Sequence, residues 1–142
     1  MPGRSGWSPW QPTRTEVLLG RLAAGETVNV DRGVRQNRLQ DRVLAEAVAQ
    51  AVLDRRTGTL HLGTTDSSEE LTFLRRLAEA FGQPTDRLVT GGERKANLVV
   101  QPRRLLELYP GRFERTEAET IDGLVSCPQL RQYRTNEAAT CQ

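Results

Sequence analysis

Residues 35–56 read RQNRLQDRVLAEAVAQAVLDRR. From Val43 to Leu53 almost every residue is apolar or alanine, and the polar exceptions Arg42, Glu46, Gln50 and Asp54 recur every fourth position. That spacing predicts a helix over 35–54 with one narrow polar stripe, and so wide an apolar face predicts a central helix packed on most sides. At its start Arg35, Arg38 and Arg42 would share one face.

Working outward from this helix, TRTEVLLGRLAAGE predicts a short helix with Thr15 as its cap and Gly25 at its end. ETVNVDRG alternates at Val28 and Val30, as a short strand does. On the other side TGTLHLGTT reads as a compact strand. DSSEELTFLRRLAEAFGQP then predicts a helix over 67–81, with Ser67 and Glu70 at capping-box spacing and Gly82 and Pro84 as a stop. DRLVTGGERKANLVVQ suggests a hairpin over 86–101 turning at Gly91-Gly92, because paired glycines supply positive φ. PRRLLELYPGRF is a short helix opening at Pro102. The expected fold class is α+β, a single small domain whose mixed or antiparallel sheet carries the 86–101 hairpin against helices 35–54 and 67–81. Residues 1–13 read as a flexible arm, 14–113 as the domain, and 114–142 as a weakly structured extension.

With 142 residues the chain can bury a real core, and 37% hydrophobic with 27% charged residues is ordinary for a globular protein. No apolar run reaches the roughly 18 residues of a membrane span, and the start lacks a signal-peptide core, so a cytoplasmic protein is expected. Cys127 and Cys141 would close only a tail, which favours free thiols in a reducing compartment. His61 is the lone histidine, so no metal ligand cluster and no Ser-His-Asp arrangement is legible, and no cofactor is expected.

Of twenty basic residues nineteen are Arg and one is Lys95. A GC-rich genome produces that bias unaided, but the distribution is informative. Residues 114–142 hold three basic and five acidic groups, so the net charge of +2 hides a more basic body. Between Arg87 and Arg112 stand Arg87, Arg94, Lys95, Arg103, Arg104 and Arg112 against only Glu93 and Glu107. Together with Arg35 and Arg38 they form the candidate nucleic-acid surface, since guanidinium forks pair bidentately with phosphate oxygens. Asp86, Glu93 and Lys95 resemble the PD-(D/E)xK nuclease core. A two-residue turn at Gly91-Gly92 would, however, set the two carboxylates roughly 13 Å apart along the sheet, too far to share a metal.

Trp7 and Trp10 sit in GWSPWQP, among three of the chain's seven prolines. WSPW is similar to the Trp-Ser-x-Trp of thrombospondin type 1 repeats, whose ladder depends on three disulfides, whereas no cysteine here precedes Cys127. The two indoles either strap the protein's own core or dock on a larger assembly. Docking of this arm is the alternative to nucleic-acid binding, and a homodimer is also among the assemblies the sequence allows.

Residues 43–109, through VLAEAVAQAVLDRRTGTLHLG, SSEELTFLRRLAEAFGQPTDRLVTGGERKANLVV and QPRRLLELYP, resemble one LAGLIDADG homing-endonuclease-like unit. In that family a helix ends at an acidic residue and Gly, then come strands, a second helix, a hairpin and a final helix. Where the family has Asp-x-Asp-Gly this chain has Leu53-Asp54-Arg55-Arg56-Thr57-Gly58. The carboxylate that binds the catalytic metal is replaced by Arg or Thr, unless Asp54 fills its place. The resemblance implies a DNA-binding scaffold with cleavage lost or impaired. A regulatory or accessory protein, not an enzyme, is the expectation.

Overall fold

The computed structural model describes residues 12–135. Helix α1 spans Arg14–Ala23 and starts two residues earlier than the Thr15 reading: Thr13 caps it, in a reciprocal capping box with Glu16. Its inward residues Leu18, Leu19 and Leu22 reach the core, and Gly25 (φ 79°) turns the chain into strand β1, Val28–Gln36. Val28, Val30 and Val34 point inward from β1, and α3 (Glu70–Ala80) packs across them with Phe73, Leu77 and Ala78. Phe81, Leu88, Ile121 and Leu130 complete this main core.

The sheet corrects the hairpin. Residues 88–97 form one continuous strand, β3, pairing parallel to β1 from Val28 opposite Leu88 to Arg35 opposite Asn97. The short β2, Ser68–Glu69, pairs antiparallel on the other side, so the order is β2-β1-β3 and the sheet is mixed. Parallel neighbours need a long crossover, here supplied by the two helices between β1 and β3. Gly91 and Gly92 are absent from the positive-φ glycines and make no turn. Gly91 instead permits close approach, because a Cβ there would stand 2.7 Å from the Cβ of Asn29. Register shifts between Val30 and Asp31 and between Arg32 and Val34 mark two bulges in this exposed edge.

The decisive helix, α2, is shorter than expected and less buried. It runs Asp41–Leu53, so Arg35 belongs to β1 and Arg38 to the connection, and the expected three-arginine helix face does not exist. Only Val43 and Ala47 are fully buried, packing with Leu105, Tyr109 and Phe113 in a second, smaller core. Leu44, Val48, Val52 and Leu53 are 41%, 44%, 70% and 76% exposed. The central-helix reading therefore fails.

Residues 57–65 are irregular, not a strand, although Leu60 and Leu62 lie against the second core. Side chains, not a ladder, hold this segment. Asn37 donates from Nδ2 to the carbonyls of Thr64 (2.9 Å) and Val100 (2.8 Å), and its Oδ1 accepts from the Val100 amide (3.0 Å). The Ser67–Glu70 capping box is likewise pre-empted. The Ser67 hydroxyl and carbonyl accept from Arg35, Glu70 pairs with Arg14 at 2.9 Å, and α3 starts at Glu70 behind the strand pair Ser68–Glu69.

Much of the segment read as a weakly structured extension is integral. A capping box of Thr116 and Glu119 opens helix α5, Glu117–Val125, and a 3₁₀ turn follows over Pro128–Tyr133. Ile121 and Leu130 are core residues, so this stretch closes the domain. The short helix after β3, α4, covers Arg103–Leu108 with Pro102 at its cap. Among the described residues no helix is long and apolar enough to cross a membrane.

Candidate polyanion interface

The predicted cations divide between two places. On the sheet, Arg94 and Lys95 lie on the exposed edge β3, beside Arg32 and Arg35 of β1, but Asp31, Glu69 and Glu93 stand on the same ladders. Arg87 is tied at the opposite end of β3, donating to the Gly25 carbonyl. Arg38 is withdrawn from any surface role: its Nη1 donates to Glu117 Oε2 at 3.0 Å and its guanidinium lies over Phe73 at 4.4 Å. Burial lowers the pKa of Arg38, and the bond and charge of Glu117 work against that shift.

The second place is the corner between the end of α2 and α4. Arg104 donates from Nη1 to the Thr59 carbonyl (2.8 Å) and from Nη2 to the Thr57 carbonyl (2.7 Å). Arg112 sits 5.1 Å from the ring of Phe113, and Arg56 sits 5.7 Å from the ring of Tyr109. The two rings meet edge to face at 5.4 Å and fix the corner from inside. Arg103 is exposed on the first turn of α4. Beside them a shallow cavity of about 290 Å³ is lined by Val48, Val52, Leu60, Leu62, Arg56 and Arg104.

Like the sheet cations, the corner's arginines stand outside the ion pairs. Among the described residues four ion pairs form: Arg14–Glu70, Arg21–Glu26, Arg38–Glu117 and Arg42–Glu46. None uses Arg56, Arg103, Arg104 or Arg112. Backbone carbonyls orient Arg104 and ring faces orient Arg56 and Arg112, while the Asp54 carboxylate offsets part of the charge of Arg56 and Arg112. The larger cleft, about 510 Å³ between α1, β1 and α3, is different, because its Arg14 and Arg38 face Glu70 and Asp31 across it. Among the described residues no three His, Cys, Asp or Glu side chains gather as metal ligands.

Asp54 reports the field at the corner. Its pKa is lowered first by the hydrogen bond from the Tyr109 hydroxyl (2.6 Å), next by that from Gln50, and further by the charges of Arg56 and Arg112. A carboxyl with a lowered folded pKa adds stability above its unfolded value, about 3.9, and that stability fades as pH falls through the folded value. Tyr109→Phe is therefore expected to move the Asp54 titration, followed by carboxyl-carbon NMR, back toward the ordinary range and to weaken the acid dependence of stability. An unchanged titration would mean that the hydroxyl does not set it.

Sequence reasoning picked Arg103, Arg104 and Arg112 of this corner and missed Arg56. The signal was present, since DRRTG places Arg56 just past the end of the helix. Trp7 and Trp10 lie outside the described residues. No family model, curated protein or solved structure matches the chain.

Proposed function

We propose that this chain is a cytoplasmic nucleic-acid-binding accessory protein that grips phosphates with the α2–α4 corner, through Arg56, Arg103, Arg104 and Arg112. One observation supports it above the rest. Arg104 is positioned by two carbonyls and Arg112 by a ring, so the corner presents oriented guanidinium groups that enter no ion pair among the described residues, with the Asp54 carboxylate lying in the field of Arg56 and Arg112. Arg35, Arg87, Arg94 and Lys95 are outlying contacts along the sheet, where carboxylates dilute the field. The homing-endonuclease-like order adds no weight to DNA as the ligand, because the strand over 57–65 and the hairpin over 86–101 that it requires are not part of this fold.

The test is binding to labelled duplex DNA and RNA by fluorescence anisotropy across a salt series. Each phosphate contact contributes about −0.9 to the slope of log affinity against log salt on B-DNA. Arg103→Glu/Arg112→Glu spares the Arg104 tie to the 57–59 segment. It is expected to lower affinity roughly 100-fold at low salt and to reduce the slope by about two. Binding that ignores salt, or survives this double reversal, removes the proposal.

A further inference from the structure

Helix α2 has two apolar sides, and the described residues cover one of them. Val43 and Ala47 face the second core, while Leu44, Val48 and Val52 form an exposed row at spacings of four, flanked by exposed Ala45 and Ala49. The row has charged ends. Asp41 lies three residues before Leu44 and Arg55 three residues after Val52, so positions 41, 44, 48, 52 and 55 are palindromic about Val48. Asp41 is exposed on the first turn, and Arg55 is exposed just past the last.

We propose that this row is a two-fold, antiparallel interface with a second copy of this chain, its axis passing at Val48. Antiparallel docking sets Val48 on its own counterpart, Leu44 against Val52 of the second copy, and Asp41 against Arg55 of the second copy. Every contact then occurs twice, as an isologous interface requires. A parallel pairing would set Asp41 on Asp41 and Arg55 on Arg55, so charge selects the antiparallel sense, and the opposed helix dipoles favour it too. The 290 Å³ cavity, bounded by Val48, Val52, Leu60, Leu62 and Leu108 and also lined by Arg56 and Arg104, receives Leu44 of the second copy.

The backbone at Arg55 points the same way. Arg55 has φ 53° and is the one non-glycine residue with positive φ among those described, at a helix end where glycine sits more easily. What arginine adds there is a cation at the end of the row. Two helices of about 20 Å make a small interface, so the dimer is weak and concentration-dependent.

Sedimentation velocity of the full chain, from about ten to several hundred micromolar, should show monomer giving way to dimer. Val48→Glu places two carboxylates on the axis and leaves monomer throughout, with an unchanged circular dichroism spectrum. Asp41→Arg and Arg55→Asp each weaken dimerisation roughly fivefold, and the double exchange restores it because the pairs reform with reversed sign. In a Cys127→Ser/Cys141→Ser background, Val48→Cys oxidises to a linked dimer whereas Val52→Cys, which faces Leu44, does not. Monomer at every concentration, a dimer indifferent to Val48→Glu, or a double exchange without recovery overturns the proposal. None of these variants alters Arg56, Arg103, Arg104 or Arg112, so its failure leaves the nucleic-acid reading to be judged separately.

Discussion

Replacing Glu117 by alanine is expected to destabilise the protein by about 3–5 kcal/mol, the range for breaking one side of a buried ion pair. Glu117 is completely buried at the start of α5 and serves three elements at once. Its Oε2 accepts from Arg38 Nη1, its Oε1 accepts from the Ser68 hydroxyl at 2.7 Å, and its amide donates to Asp66 Oδ1 at 2.7 Å. Arg38 is only 17% exposed, and among the described residues its Nη2 is already buried without a partner, so a lost carboxylate leaves it only the weaker charge of Glu70. Glu117→Gln keeps the shape but leaves the cation uncompensated, and its loss should be smaller than that of alanine while still evident. The double change Arg38→Met/Glu117→Leu should recover much of the loss, because removing both charges removes the desolvation burden with them. Urea denaturation of the four proteins checks this. A loss below about 1 kcal/mol for Glu117→Ala would mean that water reaches the pair.

The second large effect separates two glycines of the sheet. Gly33 has φ 90° on β1, and a Cβ there would lie 3.0 Å from the backbone oxygen of Arg94, which cannot move without opening the β1–β3 ladder. Gly33→Ala is expected to cost about 2–4 kcal/mol. That figure combines backbone strain of about 1–2 kcal/mol with overpacking of about 1–3, less the small gain from a stiffer unfolded chain. Gly92→Ala is the contrast. It lacks a positive φ, and its nearest neighbour would be Asp31 Oδ1 at an ordinary 3.5 Å, so alanine should change stability by less than about 1 kcal/mol. A hairpin turn at Gly91-Gly92 would reverse the order of severity. Thermal denaturation of the two variants thus tests the parallel pairing itself.

These residues show where the sequence was legible. Helix α3 was readable because Leu71, Leu74, Leu77 and Phe81 keep one period and Gly82 stops it. The strand at Val28 and Val30 was readable from alternation. Gly91-Gly92 misled because a glycine pair serves a tight turn and a close strand approach equally well, and only the neighbour, Asn29, distinguishes them. The 57–65 segment misled because alternation at Leu60 and Leu62 reflects contact with the second core, while its hydrogen bonds go to Asn37, Arg104 and Arg115. The capping signal at Ser67 was overridden by Arg35, a residue more than thirty positions away.

The candidate site divides in the same way. Arg103, Arg104 and Arg112 were visible as an excess of charge. Whether that charge is neutralised was not, since it depends on which oxygens lie within reach after folding. Arg38 and Arg104 look alike in sequence. One meets a buried carboxylate and the other two carbonyls.

By itself the sequence determined the mixed α+β class, the positions of most helices and the arginine-rich second half, because helical period, stop signals and charge are local properties. Tertiary structure alone decided that β3 runs parallel to β1, that Arg38 is ion-paired while the arginines of the α2–α4 corner are not, and that the described residues leave an apolar row of α2 uncovered. Each of these depends on partners distant in the chain. A residue's own chemistry states what it must satisfy, and only packing selects the neighbour that satisfies it.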